Sequence, residues 1–240
     1  MGLGAVLFDF NGVIIDDEAI HTRLIADILL SENLRPQADE YQQFCLGRSD
    51  RDCLDNVLSR RGRYVNGAYL DKLLAQKSQA YQAELSLLTP LPLFPGVVEF
   101  IQQLIAADIK LGLVTGSIRA EVELILGRAG LRDYFSVVVT ADQVTVGKPD
   151  PSGYLLALDQ LQTQFPGLDL TPPHCLVIED TFMGIEAARR AGLPVLGIAH
   201  TFPFHMLQRR CNWVIDHFGQ LDLEYVQRVY AQKQVLKASA

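Results

Sequence analysis

The chain predicts an α/β protein, a doubly wound parallel sheet of Rossmann-like type with a helical cap domain inserted after its first strand. Three observations carry the prediction. Short apolar runs recur along the chain and alternate with helix-length amphipathic stretches, the pattern of βαβ units. Residues 16–88 contain no such runs and show only helical periodicity. A proline-rich segment then returns the chain to the alternating pattern.

Ala5-Val6-Leu7-Phe8 is the first strand, apolar at every position and ended by the carboxylate Asp9 and the turn residues Asn11-Gly12. A run without alternation suits a strand covered on both faces. From Asp16 the texture changes. Ala19, Leu24, Ile25, Ile28 and Leu29 form one helical stripe, Tyr41, Phe44 and Cys45 a second, Leu54, Val57 and Leu58 a third, and Leu70, Leu73, Leu74 and Tyr81 a fourth. These predict a unit of about four helices whose stripes pack mostly on one another. In Thr89-Pro90-Leu91-Pro92-Leu93-Phe94-Pro95-Gly96, fixed φ angles and missing N–H groups oppose both helix and central strand.

Pro95-Gly96 opens a helix through Val98, Ile101, Leu104 and Ile105. Residues 110–115 are the second strand, ending in Thr115-Gly116-Ser117, and residues 120–129 are helix with Gly130 as its C-cap. Val137-Val138-Val139 is the third strand. Gly147-Lys148-Pro149-Asp150-Pro151 leads into a helix over 154–161, which Phe165-Pro166-Gly167 breaks. Cys175-Leu176-Val177-Ile178 is the fourth strand, ended by Glu179-Asp180, and a helix over 185–191 is closed by Gly192. Strands at 195–198 and 213–215 and an amphipathic tail helix from Leu221 complete the chain. The expected division is 1–15 and 89–218 for the core, 16–88 for the cap and 219–240 for the tail helix.

With 240 residues, 49% hydrophobic and 20% charged, the chain can bury a sizeable core. A net charge of -7 and the lack of any basic run interleaved with aromatics argue against a nucleic-acid partner. No apolar run is long enough to span a bilayer and no charged leader precedes the first strand, so the expectation is a cytoplasmic enzyme, monomeric or weakly dimeric, with no membrane partner. The four cysteines, Cys45, Cys53, Cys175 and Cys211, form no CxxC pair. Their spacing supports neither a zinc site nor a disulfide framework, and Cys175 reads as a small core residue.

In a parallel sheet the groups that end the strands converge on one edge. Here these are Asp9, Thr115, Lys148 on the loop after the third strand, and the pair Glu179-Asp180. A carboxylate nucleophile, a hydroxyl beside backbone N–H groups, one fixed cation and acidic residues for a hard metal are the parts that phosphoryl transfer requires. Mg²⁺ takes oxygen ligands and keeps several waters, so two carboxylates and a carbonyl suffice for it. Each group alone has an ordinary structural explanation as a cap or helix-terminus residue. Their coincidence at successive strand ends does not. Gly147-Lys148 is not a nucleotide P-loop, because position 142 is Asp and Pro149 follows the lysine.

At these residues the sequence resembles the haloacid dehalogenase-like hydrolase superfamily, in particular its phosphatases and its β-phosphoglucomutase relatives with a helical cap. The resemblance runs from Ala5 to about Ile215. It implies that Asp9 is a nucleophile forming an aspartyl-phosphate, that Thr115 with the Gly116 and Ser117 N–H groups holds the phosphoryl oxygens, and that Lys148 bridges nucleophile and phosphate. It also implies a Mg²⁺ bound by Asp9, Asp180, the backbone carbonyl of Asn11 and, directly or through water, Glu179. His21 matches a histidine that mutase relatives carry at the start of the cap. Gly47-Arg48-Ser49-Asp50-Arg51-Asp52 resembles the cap's specificity loop, with Arg48 and Arg51 as candidate contacts to an anionic substrate. Mutases place a lysine and an arginine where this chain has Leu46 and Asp50, which argues against a sugar-phosphate mutase.

One departure bears on turnover. The family pattern has Asp two residues after the nucleophile, where it protonates the leaving oxygen and later activates water, and here that position is Asn11. An amide cannot shuttle a proton at neutral pH. The expectation is therefore a Mg²⁺-dependent phosphatase for a small phosphorylated metabolite, slow and biased toward good leaving groups. Asp16, Asp17 or His21 is the substitute proton donor to consider. The alternatives are a phosphoglucomutase-like isomerase and a catalytically silent protein that binds phosphate and signals through cap closure.

Overall fold

The computed structural model describes residues 2–238, apart from the side chains of 232–238; Met1, Ser239 and Ala240, at the ends of the expected core and tail, lie outside the described residues. Strands β1 (Ala5–Phe8), β2 (Lys110–Val114), β3 (Phe135–Val139), β4 (Cys175–Glu179), β5 (Val195–Ile198) and β6 (Trp213–Ile215) form one parallel sheet in the order β3-β2-β1-β4-β5-β6. The order reverses between β1 and β4, the switch point beyond which such sheets bind ligands. Phe8 is level with Leu113 on β2 and Ile178 on β4, so the residues that follow these three strands emerge side by side.

Between β1 and β2 the chain makes α1 (Glu18–Ser31), α2 (Glu40–Phe44), α3 (Asp50–Arg60) and α4 (Gly67–Leu87). Ile25, Ile28 and Leu29 pack there against Leu54, Val57, Leu58, Leu70 and Leu73 in a cluster separate from the sheet's own cores. Side-chain caps start two of these helices: Ser49 accepts from Asp52 N at 3.1 Å and Asn66 from Tyr69 N at 2.9 Å. The expected mutual packing of the four stripes has an exception, because Leu24, Tyr81 and Leu85 join the core of the sheet domain instead. The end of α4 is further tied to the core by a guanidinium.

After the cap come α5 (Val97–Ala106), α6 (Arg119–Ala129), α7 (Ser152–Gln164), α8 (Phe182–Arg190), the single turn α9 (Phe204–Leu207) and α10 (Leu223–Ala238). Arg128 on α6 donates to the carbonyls of Leu85, at the last turn of α4, and Leu88, the latter at 2.7 Å. Cations suit that negative end of a helix. Alternate residues of β1 face opposite layers: Val6 and Phe8 pack with α5, α6 and α10, whereas Ala5 and Leu7 pack with α7 and α8. Both faces are covered, which is why β1 is apolar throughout. Tyr230 on α10 donates its hydroxyl to Cys175 O at 2.9 Å and Cys175 is buried, as the sequence predicts. Among the described residues no helix is long and apolar enough to cross a membrane.

The expectation about disulfides is corrected. Cys45 and Cys53 are bonded, with their Cα atoms 4.3 Å apart and a sequence separation of 8. The chain reverses between the end of α2 and the first turn of α3, bringing the two thiols face to face, a proximity that linear spacing does not reveal. Closing so short a loop stabilises by about 2–3 kcal/mol through the unfolded state. Reduction is therefore expected to lower the melting temperature of the chain and to raise the titratable thiols of the denatured protein from those of Cys175 and Cys211 to all four cysteines. Four thiols before reduction, or an unchanged melting temperature, would contradict the cross-link.

Candidate active site

The strand ends deliver their polar groups to one place. Lys148 Nζ lies 2.7 Å from Asp9 Oδ1 and 2.7 Å from Glu179 Oε1. Tyr154 donates its hydroxyl to the same Glu179 oxygen at 2.8 Å. The other oxygen, Oε2, accepts from the Asp180 and Thr181 amides, each at 3.2 Å, and from the Thr181 hydroxyl at 3.1 Å. Both Glu179 oxygens are thus committed to holding Lys148 and the turn after β4. Asp180 differs: Oδ2 accepts from the Thr201 hydroxyl, while buried Oδ1 has no hydrogen-bond partner.

One ligand oxygen from each of Asp9, Glu179 and Asp180 falls within 4.8 Å of the others, and all three residues are buried. Asp9 and Glu179 share Lys148, and Asp180 stands beside them. Burial and the neighbouring Glu179 push the Asp9 carboxyl up to about 7, against the pull of Lys148. Burial, Glu179 and Asp9 push Asp180 well above the usual carboxylate range. For Lys148 burial works against the charge, but Asp9 and Glu179 outweigh it and hold the ammonium above its ordinary value. A surplus of buried negative charge with an orphaned carboxylate oxygen is the chemistry of a hard divalent cation site. Gly12 keeps it open: its φ is +78°, and a Cβ there would sit 2.0 Å from Asp180 Oδ2.

The loop after β2 closes the other side. Thr115 Oγ1 accepts from Ser117 N at 3.0 Å, and Ser117 Oγ donates to Asn11 Oδ1 at 2.7 Å. The Asn11 amide nitrogen donates to Asp17 Oδ2 at 2.8 Å, an oxygen that also accepts from the Tyr81 hydroxyl. Asn11 therefore bridges the loop after β2 and the first residues of the cap. It uses an acceptor on one side and a donor on the other, which an ionised carboxylate could not do. His21 lies beside it, with Nε2 3.1 Å from the Asn11 amide nitrogen and 3.3 Å from Asp17 Oδ2, and it is buried.

Asp9, Asn11, His21, Arg48, Gly116, Ser117 and Lys148 line one pocket of about 40 Å³. The cap loop roofs it closely, since a Cβ on Gly116 would meet the Arg48 carbonyl oxygen at 2.9 Å. Arg51 is not brought there; it pairs with Asp71 at the surface and lines a neighbouring, larger cavity. Two charges that the sequence reading passed over sit at the same junction. Lys77 Nζ, fully buried, is 2.6 Å from Asp50 Oδ2, 2.7 Å from His21 Nδ1 and 3.9 Å from Glu121 Oε1. The signal was present: Lys77 falls on the stripe of Leu70, Leu73 and Tyr81, and Glu121 lies four residues before Ile125, so both charges occupy core positions of their helices.

Raising Asp9 from 3.8 to about 7 means that the folded chain keeps a proton which the unfolded chain has already released between those values. Stability then falls as pH rises from about 4 to about 7. A divalent cation competes with that proton, so the rise in melting temperature caused by saturating Mg²⁺ is expected to grow between about pH 5.5 and about pH 8. Gly12→Ala should abolish the rise. A Mg²⁺ effect that is the same across this range, or that survives Gly12→Ala, would contradict the site.

Comparison with known proteins places these features. The family description haloacid dehalogenase-like hydrolase matches residues 3–192. The chain is 31% identical over 235 residues to β-phosphoglucomutase of Bacillus subtilis, covering 96% of this chain and 97% of that protein. It is 30% identical over 198 residues to the phosphorylated carbohydrates phosphatase of Thermotoga maritima, covering 82% and 86%. The crystal structure of β-phosphoglucomutase from Clostridium difficile matches with a TM-score of 0.82 at 24% identity, covering 97% of this chain and 99% of that one, a likeness of fold.

Proposed function

The chain belongs to the haloacid dehalogenase-like hydrolases, and on that premise we propose that it is a Mg²⁺-dependent phosphatase for a small phosphorylated metabolite, with its proton-transfer position altered by Asn11. The observation that carries this reading is Lys148 held between Asp9 Oδ1 and Glu179 Oε1 beside the unpartnered Oδ1 of Asp180. We divide the chain into a core of 1–15 and 89–218, a cap of 16–88 and a tail of 219–240.

An Asp9 carboxylate oxygen attacks phosphorus and forms the aspartyl-phosphate as the bond to the leaving oxygen breaks. Lys148 fixes the carboxylate and neutralises the phosphoryl oxygens, and the Gly116 amide with the Thr115 hydroxyl, which the Ser117 amide holds in place, completes the cradle. Asp9, Asp180 and the Asn11 carbonyl would hold Mg²⁺, with Glu179 reaching it through water because its own oxygens are already engaged. When bound, the ion supplies charge neutralisation on the transferring phosphoryl group. Water then attacks the same phosphorus and releases phosphate, regenerating Asp9. The leaving alkoxide needs a proton that Asn11 cannot give, and His21, in contact with the Asn11 amide and with Asp17, is the group placed to substitute. Arg48 lines the phosphoryl pocket as a contact for substrate oxygens, whereas Arg51 is tied to Asp71.

The relatives' names supply a mutase as well as a phosphatase. Asp50 opposes the mutase reading, since it stands where mutases carry an arginine and takes up the charge of Lys77, the buried cation of the cap. A silent binding protein is the outcome in which phosphate esters bind with Mg²⁺ and none is hydrolysed.

A carboxyl introduced at position 11 would be half-buried beside the Asp17 carboxylate, an environment that favours the protonated acid the leaving group needs. Asn11→Asp is expected to raise kcat on an alkyl phosphate by about 10²–10⁴-fold and on p-nitrophenyl phosphate much less, because that leaving group needs no proton. Asp9→Asn should abolish both activities. Equal alkyl phosphate rates for the wild type and Asn11→Asp would refute the assignment of Asn11.

A further inference from the structure

The roof of the phosphoryl pocket carries a covalent tie that the proposed chemistry does not use. Residues 46–52, between the end of α2 and the first turn of α3, are closed at their base by the Cys45–Cys53 disulfide, and both cysteines line the same pocket as Asp9 and Lys148. The loop reaches the core on two sides. A Cβ on Gly47, whose φ is +73°, would sit 2.7 Å from Thr181 Oγ1, the hydroxyl that donates to Glu179, and the Arg48 carbonyl rests on Gly116. The cross-linked loop thus touches the turns after β2 and β4 that hold the phosphoryl and metal groups.

The two halves of the loop are anchored differently. Leu46 N donates to Tyr41 O at 3.0 Å and Arg48 N to Cys45 O at 2.9 Å, which ties the roofing half back to α2. Asp50 and Arg51 pair instead with Lys77 and Asp71, which ties the other half to α4. The disulfide locks one half to the other. A chain of 240 residues buries enough core to fold without such a link, so its position over the pocket is the informative property.

Resting on the phosphatase reading, we propose that Cys45 and Cys53 are a redox-modification site that sets the affinity of the phosphoryl pocket: the disulfide holds the roof in its binding geometry, and reduction by a dithiol releases it. A thiolate of the dithiol attacks one sulfur of the bridge, forming a mixed disulfide and expelling the other sulfur as a thiolate. The second thiol of the reductant resolves the mixed disulfide. Two electrons and two protons end on Cys45 and Cys53, and the reductant leaves as a disulfide. The two cysteines are 4% and 2% exposed, so a dithiol reaches them only when the cap lifts from the core. A ligand in the pocket and an intact bridge therefore favour each other, as linkage requires.

Hydrolysis of p-nitrophenyl phosphate and calorimetric binding of inorganic phosphate, both with Mg²⁺, test this on the oxidised chain, the chain reduced with dithiothreitol and the double variant Cys45→Ser with Cys53→Ser, each below its melting temperature. Reduction is expected to raise KM and the phosphate Kd by about tenfold with kcat little changed, because Asp9, Lys148 and Asp180 stand on the core. The double variant should match the reduced chain and ignore dithiothreitol, Cys211→Ser should respond as the wild type does, and saturating phosphate with Mg²⁺ should slow reduction. Equal KM and Kd in the two redox states of the wild type would overturn the proposal, as would a response to dithiothreitol that persists in the double variant. Should no ester be hydrolysed in either state while the phosphate Kd still follows the bridge, the phosphatase reading fails and the redox site stands.

Discussion

One ammonium group organises this molecule. Lys148 is buried at the edge of the sheet with two carboxylates at hydrogen-bond distance, and a third stands beside them. Burying so many charges is tolerable only when each is paired or hydrogen-bonded. The surrounding chain supplies those partners: Tyr154 and the Thr181 turn satisfy Glu179, Thr201 satisfies one oxygen of Asp180, and Gly12 lets the backbone pass where a side chain could not. What remains unsatisfied there is one Asp180 oxygen and a net negative charge, the deficit that the proposed Mg²⁺ would fill.

The fold places these groups by topology alone. β1 and β4 are neighbours on either side of the point where strand order reverses, so Asp9 and Asp180, far apart along the chain, become adjacent. The cap grows out of the loop that follows Asp9. Asn11 lies in that loop and ties Ser117 on the core to Asp17 at the foot of the cap. The residue at the acid position is therefore also a strut between the two domains, and an amide fills that second role better than a carboxylate because it can donate to Asp17. On the proposed mechanism, the same side chain that cannot relay a proton also makes a contact that positions the cap.

Much of this was legible in the sequence because strand ends are local signals. Apolar runs closed by Asp9, Thr115 and Glu179-Asp180 revealed the sheet and one edge of the site, and the prolines after Leu88 marked the return from the cap. What was not legible depended on tertiary proximity. The disulfide of Cys45 and Cys53 follows from a chain reversal that spacing does not encode, and His21 is buried because α4 covers it. Lys77 and Glu121 could have been found, since a charge on an otherwise apolar helical stripe implies a buried partner. Only the fold shows that the two meet each other across the junction of cap and core, with Asp50 as a third member.

The central claim is that an Asp9 oxygen becomes bonded to phosphorus. Acid-quenched protein taken during turnover of a reactive phosphate ester with Mg²⁺, digested and mapped by mass spectrometry, tests it most directly. The account predicts a phosphoryl group on the peptide containing Asp9, lost on treatment with hydroxylamine and missing in Asp9→Asn. Sustained hydrolysis with that peptide unmodified, or a phosphoryl group on a different side chain, would contradict it.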